Sequence, residues 1–233
     1  MIFKKSLLML LSLVLACYSL SGFAMGQDLP DISEDGLHLV KDSKMAIVYA
    51  EPGADLSVYS HVMLKTPEVA FKKNWARDQS YGSASKLTTS SRVNTKGIKE
   101  DLAKEFDQVF TETLKAGGYK IVDEAGADVL VISPSIVNLD VTAPMTHGSG
   151  RSNVKVRSAG EMTLYIELYD SETGDLIAKA VDRGIDNPNN EGFYTWATQA
   201  SNKQAADRIL QGWADILLNA LNEAKGSAVE PAE

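Results

Sequence analysis

The stretch Gly160–Arg183, GEMTLYIELYDSETGDLIAKAVDR, decides the fold. Met162, Leu164, Ile166 and Leu168 alternate with Thr163, Tyr165, Glu167 and Tyr169, the two-residue period of a strand with one buried face. Asp170–Thr173 suits a type I turn, and Gly174 supplies the positive φ with which the chain re-enters the ladder. Leu176, Ile177, Ala178, Ala180 and Val181 form the return strand. Together they predict a β-hairpin at the centre of a sheet, with no chemistry of its own.

On the C-terminal side, Asp186–Gly192 (DNPNNEG) is an irregular turn leading into Phe193, Tyr194, Thr195 and Trp196. Ser201 and Gln204 form a capping box, with a helix opening there or a few residues earlier. Ala206, Ile209, Leu210, Trp213, Ile216, Leu217, Ala220 and Leu221 make its apolar face. Residues 225–233, short, acidic and Pro-containing, read as a disordered tail.

On the N-terminal side, Leu139–Ser158 is a loop carrying Arg151, Lys155 and Arg157. Tyr119–Val122 and Val129–Leu139 are strands, and Ser133-Pro134 calls for a bulge or an edge in the second. A helix capped by Thr95 places Ile98, Leu102, Phe106, Val109, Phe110 and Leu114 on one stripe and ends at Gly117-Gly118. Asn74–Asn94 is a long polar loop containing Trp75 and Tyr81. Val62–Phe71 is a strand that Pro67 consigns to an edge or a bulge, and Lys44–Tyr49 is another strand. Short connections between consecutive strands predict antiparallel pairing, and two one-sided helices need a face to cover. The expected fold is an α+β two-layer sandwich, a mostly antiparallel sheet covered on one face by two helices.

The chain has 233 residues and no Pro/Gly/Ser-rich linker in its middle, so a single domain is expected over residues 36–224. Hydrophobic content of 44% and charged content of 23% are globular values. The net charge is -8, and no acidic residue precedes Asp28, so losing Lys4 and Lys5 with the N-terminus makes the remainder more acidic still. Such a surface repels phosphate backbones, which argues against nucleic acid as a partner.

Lys4 and Lys5 followed by Leu7–Ala16 (LLMLLSLVLA) are the charged and apolar regions of a secretory signal. Two cleavage sites compete. Gly22-Phe23-Ala24 would release a soluble periplasmic protein after residue 24. Val14-Leu15-Ala16-Cys17 instead resembles a lipobox, in which the signal ends at residue 16 and Cys17 carries the lipid that anchors the chain to a membrane. Tyr18, not an acid, follows the Cys, which resembles the outer-membrane pattern of lipoproteins facing the periplasm. Cys17 is the sole cysteine, so no thiol chemistry remains once it is lipidated or removed. Residues 25–35 read as a tether.

The run from Asp35-Gly36-Leu37 through EPGADLSVY to VMLKTPEVAF, with the LYDSETG turn and the later Trp residues, resembles the bacterial envelope lipoprotein family catalogued as domain of unknown function 3313. The resemblance spans about Asp35 to Asn222. It implies a one-domain envelope protein, often lipidated, and brings neither an activity nor functional residues.

Linear motifs for chemistry are weak. Ser83-Ala84-Ser85-Lys86 matches S-x-x-K but sits in a polar loop without the companion elements. His38, His61 and His147 are scattered, so neither a metal nor a cofactor is expected. Asp186–Gly192 lacks calcium-loop spacing, because Pro188 takes a ligand position. Solvated carboxylates account for Glu167 and its acidic neighbours. Two aromatic sets remain. Trp75, Tyr81, Phe193, Tyr194 and Trp196 are the candidate partner-binding residues if their loops meet at one end of the sheet. The plainer alternative has Phe71, Phe193 and Trp196 plugging the open end of the core. The expected function is a non-catalytic cell-envelope module that binds an envelope protein or glycan. The competing classes are an envelope hydrolase whose site only the fold assembles, and a periplasmic carrier of an apolar ligand, which requires an apolar cavity between helices and sheet.

Overall fold

Alternating burial along Gly160–Asp170 and Leu176–Ile185 builds the expected hairpin, and the other strands add to its two sides. The computed structural model describes residues 29–81, 94–141, 155–156, 160–186, 195–196 and 199–227. Cys17, Phe193 and Tyr194 lie outside the described residues, as do the side chains of Tyr81 and Trp196. The chain divides after Pro30, and Asp31–Glu233 is one folded unit. In chain order its elements are β1 (His38–Leu39), β2 (Ile47–Ala50), a 3-10 turn (Leu56–Val58), β3 (His61–Leu64), β4 (Glu68–Phe71), α1 (Trp75–Tyr81) and α2 (Thr95–Ala116). Then come β5 (Lys120–Ile121), β6 (Val129–Val141), β7 (Lys155–Val156), β8 (Gly160–Asp170), β9 (Leu176–Ile185), β10 (Thr195–Trp196) and α3 (Gln199–Ser227).

The large sheet runs β1-β2-β9-β8-β6-β3-β5, with β4 following β3 along the same edge of β6. The two-layer α+β sandwich is therefore as expected, but the sheet is mixed. β1–β2, β2–β9, β9–β8 and β8–β6 are antiparallel, whereas β3–β5, β3–β6 and β4–β6 are parallel. The helical segment between β4 and β6 supplies the crossover that parallel strands need. β5 and β6 are joined by a short turn yet do not pair, because β3 lies between them. The single strand expected over Val62–Phe71 is two strands, broken around Pro67.

Pro134 needs neither the bulge nor the edge expected for it. Lys65 N–H donates to Ile132 O at 2.9 Å, so Ile132 points its backbone groups toward β3. Pro134, two residues on, points the same way, into the break between β3 and β4 where no ladder partner calls for an N–H. The irregularity comes later, between Val137 and Asp140, where Asn138 has a φ of 53°. Before it Leu130, Ile132 and Ile136 face the helices; after it Leu139 and Val141 do. The extra residue shifts the burial phase by one.

Three other boundaries differ from expectation. α1 occupies the start of the polar stretch read as a loop; at seven residues it is too short to show a periodic stripe. Asn94, not Thr95, caps α2, its Oδ1 accepting the Gly97 N–H at 2.9 Å. α3 begins at Gln199 and runs on to Ser227, into the segment read as a tail. In addition, Ile32 bridges His38 and Ser33 N–H donates to Leu37 O at 2.8 Å, so the last part of the segment read as a tether is a closed turn beside β1.

The core is one cluster between helices and sheet, centred on Phe106, Phe110 and Leu114 of α2, Leu210 and Leu221 of α3, and Leu130, Ile132, Ile136 and Leu164 beneath them. α3 packs closely on the sheet at Gly184, where an added Cβ would lie 2.2 Å from Ile209 Cγ2 and 3.0 Å from Trp213 Cζ2. The absent side chain at 184 lets the helix sit down on β9.

Candidate functional site

The Gly184 contact leaves a cleft on either side of it along the seam between α3 and the sheet. The larger, of about 520 Å³, lies between the N-terminal halves of α2 and α3 and the ends of β6 and β8. Ile98 and Leu102 of α2, Leu139 and Val141 of β6, Met162 of β8 and Ala206 of α3 give it apolar walls. The phase shift at Asn138 is what turns Leu139 and Val141 inward. Gly160 adjoins them because a Cβ there would fall 2.8 Å from Asp140 O, too close for any other residue to pair with β6 in this register.

Ion pairs rim this cleft. Lys203 of α3 reaches Glu105 of α2 at 2.5 Å and Asp207 at 3.2 Å, and the Glu105 hydrogen bond chiefly raises its pKa. Lys72 lies 2.9 Å from Asp140 and 3.4 Å from Glu161, which Arg183 also pairs. Burial alone would raise the Glu161 carboxyl, but Arg183 and Lys72 outweigh it and hold the group below its ordinary value. The rim is thus largely charge-compensated, and the specific chemistry of this cleft is its apolar interior.

Trp75 is not a surface contact residue. It is 4% exposed, stacks on Phe71 with ring centroids 4.3 Å apart, and donates its indole N–H to Val141 O at 3.2 Å. It is core, and it braces the end of β6 behind the cleft. Tyr81 is the last residue of α1. Trp196 pairs with Lys155 through β10 and β7, a two-stranded ladder apart from the large sheet.

Polar groups cluster at two further places. Ser60 Oγ lies 2.5 Å from Asp128 Oδ2, and His61 Nδ1 lies 2.7 Å from both the Ser60 hydroxyl and that same carboxylate oxygen. A hydrolase relay needs the acid on one imidazole nitrogen and the nucleophile on the other; here both crowd Nδ1. The Ser60 and then the His61 hydrogen bonds lower the Asp128 pKa, and the backbone N–H groups of Ser60 and His61 both donate to Asp128 O, so the cluster ties β3 to the start of β6. On the face of the sheet away from the helices, Tyr165 and Tyr169 donate hydroxyls to the two oxygens of Glu167 at 2.6 and 2.7 Å. Burial first, then the Glu167 bond, pushes Tyr169 up to about 12, and Tyr165 is raised for the same reasons. Among the described residues no three His, Cys, Asp or Glu side chains are placed to hold a metal ion, and no described helix is long and apolar enough to cross a membrane.

The cleft was missed in the sequence because its walls read as ordinary core. The sequence carries little signal of the phase change, because Val129, Val131 and Val137 are apolar at the opposite positions; only the asparagine, a residue tolerant of positive φ, marks it.

A one-domain α+β sandwich with this seam is the setting for the comparisons. The chain belongs to the family described as protein of unknown function (DUF3313), which matches residues 33–217. No curated protein matches it in sequence. Among solved structures it is similar to the PelC dodecamer from Paraburkholderia phytofirmans, at 12% identity and a TM-score of 0.36 over 73% of this chain and 96% of that one. Protein XCC0632 from Xanthomonas campestris, of family DUF330, gives 10% identity and a TM-score of 0.43 over 77% and 92%. The DUF4136 family protein BT2437 from Bacteroides thetaiotaomicron gives 11% and 0.29 over 78% and 93%. At TM-scores this low the likenesses carry nothing about function.

Proposed function

We propose that the protein is a lipoprotein of the bacterial cell envelope, processed at Cys17 and held in the outer membrane facing the periplasm. Its domain acts as a non-catalytic binding module. The signal-like N-terminus ending in the chain's one cysteine supports the location. The observation that carries the binding role is the cleft of about 520 Å³ between helices and sheet, within the range of small-ligand sites and apolar inside. An apolar ligand, or an apolar segment of an envelope partner, is what such walls accept. The Ser60–His61–Asp128 geometry lends no support to the hydrolase alternative.

A photo-crosslinking residue in place of Ala200, which lines the cleft, tests this in cells, with Glu172 on the exposed β8–β9 turn as control. A discrete adduct from position 200, absent from 172 and lost when Ala206→Phe fills the cleft, is expected. Equal labelling at both positions, or an adduct indifferent to Ala206→Phe, would overturn the binding reading. Mass spectrometry of the mature N-terminus checks the location separately: a chain beginning at Met25 would remove the anchor.

A further inference from the structure

The second cleft, of about 440 Å³, lies on the other side of the Gly184 contact, between the C-terminal half of α3 and the β2–β9–β8 face. It exists because the sheet presents small side chains there. Ala178 and Ala180 face the helix layer and pair with Ala50 and Val48 of β2, so nothing large rises to meet α3. Leu164, Ile166 and Leu168 form the inner wall and Leu217 the roof. Trp213 closes the inner end. Its indole N–H donates to Asp182 Oδ2 at 2.7 Å, and the other oxygen of that carboxylate accepts the Ala46 N–H at 3.0 Å. One side chain thus fixes both the indole wall and the strap, residues 40–45, that forms the mouth.

Most of the polar lining is at that mouth; Lys179 of β9, paired with Asp35, is the exception. Lys41 has no ion-pair partner among the described residues. Lys44 meets Glu223 of α3 only at 4.0 Å, with the two side chains 63% and 75% exposed, a loose pair that a competing carboxylate displaces readily. Asp42, Ser43 and Asn219 complete the rim. Lys41 and Lys44 thus line the mouth of a slot with apolar walls. At about 440 Å³ the slot is within the size range of small-ligand sites.

We infer that this cleft binds a free long-chain fatty acid, tail against Ala178 and Ala180 and carboxylate at Lys41 and Lys44. The inference is independent of the larger cleft. Trp213 makes it readable, since a bromine atom on the chain quenches an adjacent indole. In full-length protein carrying Trp75→Phe and Trp196→Phe, Trp213 is the sole tryptophan; the difference between wild type and Trp213→Phe gives the same signal without those changes.

Stearate brominated at mid-chain is expected to quench Trp213 saturably below its micelle concentration. The brominated alcohol should bind about tenfold more weakly, and Lys41→Glu with Lys44→Glu should bring stearate down to the alcohol's level. Ala180→Leu should abolish quenching, and Ala220→Leu, at the exposed mouth, should weaken it without touching the core. Unsaturable quenching, equal binding of acid and alcohol, or quenching by a brominated lysophospholipid but not by stearate would each overturn the inference. Ala206→Phe, which tests the larger cleft, should leave the Trp213 signal unchanged, so the two readings fail separately.

Discussion

Replacing Gly184 by alanine sets two opposed effects against each other. Glycine within a strand costs about 0.5–1 kcal/mol relative to alanine through its extra freedom in the unfolded chain, so the change would stabilise an open site by that amount. At 184 the new methyl would stand 2.2 Å from Ile209 Cγ2, 3.3 Å from Ile209 Cβ and 3.0 Å from Trp213 Cζ2. The first contact is far inside van der Waals range and involves a β-branched side chain close to its own helix backbone, so α3 must lift. Overpacking of this kind costs about 1–3 kcal/mol. The steric term wins, and Gly184→Ala should lose about 0.5–2 kcal/mol in urea denaturation at constant m-value. Ile209→Ala alone creates a gap, yet in combination it makes room for the new methyl, so the double-mutant cycle should show a favourable coupling of about 1 kcal/mol or more. A Gly184→Ala protein as stable as wild type, or strictly additive pairs, would mean that α3 does not rest on β9 and that the two clefts are not separated.

Three further outcomes are expected. Trp75→Ala should cost about 3–5 kcal/mol by chemical denaturation, and Trp75→Phe much less because the stack on Phe71 survives; a loss under about 1 kcal/mol for alanine would return Trp75 to the surface. Burial holds the Asp107 carboxyl above its ordinary value against the Thr66 hydroxyl that lowers it. The folded state therefore binds that proton more tightly than the unfolded one, and ionised Asp107 opposes folding above the ordinary carboxylate range. Asp107→Asn should be more stable than wild type at neutral pH, with the difference closing as pH falls through that range; a difference that grew in acid would contradict the sign. Tyr169, raised to about 12, should titrate well above the ordinary value of 10.0, and stability should fall between those two pH values as the unfolded chain ionises first. Glu167→Gln should lower the Tyr165 and Tyr169 titrations in phenolate absorbance, and unchanged titrations would show that the carboxylate does not govern them.

Much of this fold was legible because it rests on local periodicity. The β8–β9 hairpin, the α2 stripe from Ile98 to Leu114 and the α3 stripe from Ala206 to Leu221 each announce themselves within a few turns of chain. Pro67 marked the break between β3 and β4. The parallel pairing of β3 and β4 with β6 was not legible, since it depends on which neighbour a strand finds after a helical crossover. Trp75 was misplaced by its polar sequence neighbours, which say nothing about Phe71 packing from the preceding strand. The clefts were hidden for a related reason. Ala178 and Ala180 look like modest strand residues, and only the helix passing above them turns their small size into a volume.

The strand order also fixes when the molecule can become whole. β2 pairs with β9, so Ile47 must wait for Val181. β6 is flanked by β3 from far upstream and by β8 from downstream. A chain delivered N-terminus first can close β1 on β2 at once and β3 on β6 when β6 has emerged, but β2 joins the main sheet only through β9, with more than two thirds of the sequence present. Such distant pairings make for slow assembly. Until β9 appears, β2 is an open edge, and whatever shields it during that interval governs the yield of folded protein.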